Sequence, residues 1–169
     1  MTVEAMIEPM QLSFGPPVES EYAELGRILQ ESFEVSGSAV WKNCDPSAVL
    51  SFRISAIVYN DSLRRLYDSG KISYIRRMMC ARNAKTGKVV GFAIWALEDD
   101  WTPEAIQKRK QEKKLATPVE SLPENVDMEL WNQVWMSFDK MQAHHLKDRP
   151  RCREFILLNR KSIADLPNF

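Results

Sequence analysis

The chain has 169 residues, 44% of them apolar and 27% charged, the proportions of a folded globular protein large enough for one core. Lys plus Arg and Asp plus Glu stand at 23 each, so no global field draws nucleic acid or an anionic membrane to it. Cys44, Cys80 and Cys152 show no C-x-x-C spacing, and "MTVEAMIEPMQLSF" has neither a basic leader nor a long apolar run; disulfide framework, clustered metal site, signal peptide and membrane span are all disfavoured. A reducing compartment, the cytoplasm with the nucleus as alternative, is the expectation.

Met10, Leu12 and Phe14 alternate, the period of a short half-buried strand that Gly15, Pro16 and Pro17 end. "ESEYAELGRILQESF" then takes helical spacing, with Tyr22, Leu25, Ile28, Leu29 and Phe33 on one face and Ser20 as the N-cap. Gly37 closes it. A second helix opens at Asp45 and Pro46, which suit the N-cap and first helical positions, with Val49, Phe52, Ala56 and Tyr59 on one face. "DSLRRLYDSG" is a further helical piece or its continuation, closed by Gly70.

"KISYIRRMMCAR" and "KVVGFAIWAL", joined by "NAKTG", predict a β-hairpin. Both alternating sets of the second strand are apolar, so it is expected inside the sheet with helices above and below. Residues 99–125 form a polar insert in which Thr102 and Pro103 can start a helix and Pro118 and Pro123 break it. Over residues 127–146, Met128, Trp131, Val134, Trp135, Phe138, Met141 and His145 recur at three and four, predicting a long helix. "EFILL" has the composition of a strand.

This order of elements, with its residues, resembles the front part of the GNAT acetyltransferase superfamily, particularly its fungal members. "MQLSFGPPVESEYAELGRILQESF" is similar to the family's first strand and helix, "KTGKVVGFAIWAL" to its hairpin and third strand, and "MELWNQVWMSFDKMQAHHLKDRP" to the helix before its fourth strand. The resemblance spans about residues 11–150. It implies an α/β fold of the α+β kind, part of a mixed, twisted sheet flanked by helices. It also implies transfer of acetyl from acetyl-CoA to a small-molecule or peptide amine, without a metal. The family binds the coenzyme pyrophosphate after its fourth strand, in a loop of the form Q/R-x-x-G-x-G/A, because amides converge on phosphate only where no Cβ intervenes. The six glycines here end at Gly91, and residues 151–169 carry no such loop. Residues 10–150 are therefore expected to be the front of such a domain and 151–169 a divergent tail. The C-terminal strands and pyrophosphate loop are expected to be missing and donor binding absent, with an unpaired sheet edge that invites self-association. The rival reading is a non-enzymatic module that binds a protein through that edge and the 127–146 helix.

The candidate acceptor-binding residues are Glu34, Trp41 and Glu98. Trp41 follows the loop after the first helix, where acceptor-facing residues lie in the superfamily; Glu34, with Glu31, ends that helix; Glu98, with Asp99 and Asp100, ends the third strand. Each has a plainer alternative, packing for Trp41 and solvated acids for the others. Trp131 and Trp135 could line an acceptor pocket, though their helical spacing reads as core, as does Trp95 in its apolar strand. His144 and His145 are the only histidines and diverge by about 100° on a helix, a poor arrangement for a base. "KRKQEKK" could be a nuclear or nucleic-acid patch but reads as a solvated insert, and Cys80 as a small core residue. No catalytic residue is assigned.

Overall fold

Ile75–Asn83 and Val89–Glu98 form an antiparallel hairpin, β2 and β3, whose turn places Gly87 at φ +70°, a conformation glycine adopts without strain. The computed structural model describes residues 10–33, 38–98, 102–146 and 151–158. Around the hairpin it arranges β1 (Leu12–Gly15), α1 (Tyr22–Ser32), the single turn α2 (Ser38–Trp41), α3 (Pro46–Asp68), α4 (Pro103–Lys113), α5 (Met128–Leu146) and β4 (Arg151–Leu158). The chain is an α+β fold with a four-stranded sheet in the order β1-β2-β3-β4.

Every strand pair is antiparallel, so the sheet is not mixed over the described residues. β3 is internal, as its two apolar faces predict. The strand that completes its second edge is β4, formed by residues expected to be a divergent tail; the edge of β3 is therefore not open. β1 covers β2 only from Cys80 to Asn83, because Pro16 and Pro17 turn the chain away. Beyond that point Arg77 folds its guanidinium over the Tyr67 ring, 4.6 Å from the centroid, and binds Asp68 at 2.6 Å, a charged guard on an edge.

α1 lies across β3 and β4, and α3 lies along β2. Between these helices and the sheet sits the main core: Leu25, Ile28, Ile57, Met78, Cys80, Val89, Phe92 and Ile94, with Tyr22, Leu29 and Phe33 packed against it. An irregularity between Ala81 and Arg82 shifts the register, so that Val89 joins Phe92 and Ile94 on the covered face although strict alternation would put it opposite. α1 and α3 approach closely at Gly26, where an added Cβ would stand 2.5 Å from Ile54 Cγ1.

The other face of the sheet differs from expectation. Leu12, Phe14 and Met79 lie on it exposed, Phe14 at 66% and Met79 at 39%, while Ala93 and Trp95 are half-buried. Cross-strand partners Arg77 and Trp95 share that face, with Glu154 next to Trp95 in register. An apolar strand tells that contact is available there, not that another element supplies it.

The insert is docked on α3, while most of its residues, Lys108, Lys110, Gln111 and Lys114 among them, stay exposed as the sequence suggests. Serines along α3 hold it: Ser51 Oγ donates to Glu120 Oε2 at 2.8 Å, Ser55 Oγ accepts from Glu120 N at 3.0 Å, and Ser62 Oγ accepts from Thr117 N at 3.0 Å. Glu112 accepts from the backbone and hydroxyl of Ser73. A second core of Leu63, Ile72, Tyr74 and Ala116 forms beneath it, and Arg109, inside the basic run, is buried. No helix among the described residues is long and apolar enough to cross a membrane.

Candidate functional site

The candidate site is built where the end of α1, the turn α2 and the starts of α3 and α5 meet. α3 begins there because Asp45 caps it, accepting from the amides of Ser47 and Ala48 and from the Ser47 hydroxyl, while Pro46 occupies a position that needs no N–H. α5 begins there because Asp127 Oδ1 accepts from Leu130 N at 2.9 Å and Asp127 N donates to Val40 O at 3.1 Å. The second bond ties α5 to α2.

Trp41 stands at the centre. Its ring meets Phe52 at 5.8 Å and Trp131 at 5.3 Å between centroids, and Trp131 meets Trp135 at 5.6 Å, the last two contacts edge-to-face. Trp41, Phe52 and Trp131 are half-buried, whereas Trp135 is exposed. Thus Trp131 packs as the helical spacing predicts, but Met128 and Val134 of the same stripe are exposed too.

Against Trp41 lies a residue the sequence did not single out. Arg53 is only 6% exposed, with its guanidinium carbon 5.6 Å from the Trp41 ring centroid. Its Nη1 donates to the Leu29 carbonyl at 2.5 Å, satisfying one of the free acceptors at the end of α1 where the helix dipole favours a cation. Its Nε is buried without an acceptor. No carboxylate among the described residues pairs with it, and burial alone pulls its pKa down to about 10. Gln30 Oε1, one residue along α1 from Leu29, is a second buried polar atom without a partner. The signal that could have found Arg53 is its place at i+4 between Val49 and Ile57, the buried stripe of α3.

The other charged cluster stands along α3, away from Trp41. Asp61, 1% exposed, accepts from Tyr22 Oη at 2.7 Å and Arg64 Nε at 2.7 Å, and forms an ion pair with Arg65, whose Nε lies 3.1 Å away. Burial first, then the Asp61 hydrogen bond, pushes the Tyr22 phenol up to about 12, which keeps it a donor. Such a fully engaged cluster is structural. Cys80 is buried and its thiol pushed up to about 12 by burial, which makes it an inert core residue as the sequence suggests.

Of the three candidate acceptor residues, Trp41 is in the site just described. Glu34 lies outside the described residues. The backbone of Glu98 ends β3 opposite Arg151, while its side chain, like those of His144 and His145, lies outside what is described. Trp41 is thus the one candidate of the three whose side chain is described.

Among the described residues no glycine turn leads directly into a helix, as a pyrophosphate cradle would need. The two glycines with positive φ, Gly70 and Gly87, sit at the end of α3 and in the β2–β3 turn, and neither opens a helix. The starts of α3, α4 and α5 are already taken by their own Asp45, Thr102 and Asp127 side chains. Among the described residues there is also no group of three or more His, Cys, Asp or Glu side chains arranged to hold a metal ion. Comparison with models of known protein families, with curated proteins and with solved structures finds no match.

Proposed function

We propose that the chain carries the scaffold of a GNAT-type N-acetyltransferase, an enzyme that moves acetyl from acetyl-CoA to an amine, and that these residues do not perform the transfer by themselves. One observation carries the reading: strand, helices, hairpin, helix and strand follow in the order of the family's front part, with β3 internal to the sheet. Trp41 lies just after the first helices, on the side where the resemblance puts the acceptor amine. Transfer would require the amine to attack the thioester carbonyl, forming C–N, breaking C–S and shedding a proton to a base. Among the described residues there is no phosphate cradle, and no histidine or carboxylate is seen poised over such a site, so no step is assigned to them.

Two measurements test the two halves of this proposal. A calorimetric titration of the chain with acetyl-CoA is expected to give no saturable heat; one-site saturation would overturn the claim that the donor does not bind. Translating the nucleotide sequence downstream of the Pro150 codon in all three forward frames is expected to reveal Q/R-x-x-G-x-G/A. Its absence in every frame would remove the main support for the scaffold.

A second reading, a non-enzymatic module that docks a protein, is favoured by a separate observation. Leu12, Phe14 and Met79 on one sheet face, and Met128, Val134, Trp135 and Met136 on α5, expose apolar surface a solitary domain ordinarily hides.

A further inference from the structure

The unassigned feature with the most definite chemistry is Arg53. A guanidinium out of water is costly unless charge and hydrogen bonds compensate it. Here one neutral carbonyl, Leu29 O, and one ring, Trp41, are its only described partners. Capping α1 accounts for Nη1 and leaves the rest of the group unexplained.

Which donors remain decides the ligand. With Nη1 engaged, the unpaired edge is the one formed by Nε and Nη2, two parallel N–H groups whose spacing matches the two oxygens of a carboxylate. Nε has no acceptor although it is buried, and Nη2 makes no hydrogen bond among the described residues. One cation balances one negative charge, which favours a carboxylate over a dianionic phosphate. The neighbouring rings, Trp41 with Phe52 and Trp131 packed against it, favour an apolar or aromatic body behind that carboxylate.

We propose that the Nε/Nη2 edge of Arg53, beside the Trp41–Phe52–Trp131 cluster, is a binding site for the carboxylate of a small aromatic or apolar acid. The site stands apart from acetyl transfer: it needs neither a coenzyme nor an amine. Arg53 is pre-positioned by its bond to Leu29, so the acid meets a fixed fork and little ordering opposes it.

The test uses the full chain and phenylacetate as probe, followed by tryptophan fluorescence and calorimetry. Phenylacetate is expected to saturate and to bind about tenfold or more tighter than phenylacetamide, which has the same body without the charge. R53Q is expected to abolish the preference and R53K to keep only part of it, since an ammonium offers no fork. Circular dichroism establishes whether R53Q is folded; if it is not, the acid-against-amide comparison on the unaltered chain decides alone. No saturation up to about 10 mM phenylacetate, equal binding of acid and amide, or undiminished binding by folded R53Q would each overturn the site. Competition by inorganic phosphate as effective as by benzoate would overturn the carboxylate assignment.

Discussion

Asp61 shows how single residues set the geometry of the helix pair. A phenol from α1 and two guanidiniums from α3 converge on one carboxylate with 1% exposure, so its loss would unpair a part-buried Arg64 as well as the phenol. D61N is expected to cost about 3 kcal/mol in urea unfolding, and Y22F about 1 kcal/mol. The Tyr22 phenol is raised to about 12 from an ordinary 10.0, so its contribution is fully present below pH 10 and fades as pH rises through 12. The stability gap between the native chain and Y22F should therefore shrink over that window, and a gap independent of pH would contradict the assignment. Gly26 acts through absence. Gly26→Ala would gain helix propensity but drive a Cβ to 2.5 Å from Ile54 Cγ1, for a net loss of about 1 kcal/mol. Combining it with Ile54→Ala should cost less than the two changes summed, since the second removes the clashing atom.

At the scale of elements, α3 serves three neighbours at once. Val49, Arg53, Ile57, Asp61 and Leu63 turn inward, while Ser51, Ser55 and Ser62 grip the insert. This explains why, of the face that the sequence placed on Val49, Phe52, Ala56 and Tyr59, Val49 is buried and the other three are half-buried. Hydropathy assigns Arg53 and Asp61 to solvent, whereas cross-helix partners bring them inside. Elsewhere local chemistry sufficed: the Asp45-Pro46 and Thr102-Pro103 starts, the apolar face of α1 and the hairpin are all as the spacing predicts. Ser20 was the exception, because a helical turn over Glu19–Glu21 precedes α1. The serine contacts give a clear expectation. In the double variant S55A/S62A, hydrogen exchange at the amides of Thr117 and Glu120 should accelerate while the melting midpoint moves little. Unchanged exchange there would mean that apolar contacts through Ala116 alone hold the insert.

For the whole molecule, the decisive asymmetry is a sheet with helices on one face and exposed apolar side chains on the other. Bare surface of this kind drives association through apolar burial, at roughly 25 cal/mol per Å² before the costs of docking. Sedimentation velocity is expected to show mass rising with protein concentration, and the double change Phe14→Glu with Met79→Glu is expected to keep the chain monomeric. A monomer at every concentration would remove the self-association reading. Acid sensitivity belongs to this scale as well, since Glu21 clamps β2 to the segment before α1 through Arg82, at 2.6 Å. The Arg82 hydrogen bond holds the Glu21 carboxyl below its ordinary 4.5, so this contribution is present above that pH and is lost as pH falls through the lowered value. R82Q should flatten that part of the acid limb in a urea series.

By itself the sequence determined the α+β class, the identity of the elements up to α5 apart from the single turn α2, and the internal place of β3, because periodicity, caps and turn residues act within a few residues of chain. It also determined that no glycine follows Gly91, on which the expectation of absent donor binding rests. Only the tertiary structure decided that residues 151–158 complete the sheet, that Leu12, Phe14 and Met79 lie exposed on one face, and that Arg53 lies buried against Trp41 with no carboxylate among the described residues paired to it. Pairing, burial and compensation of charge depend on segments far apart in sequence, and no local pattern records which partner arrives.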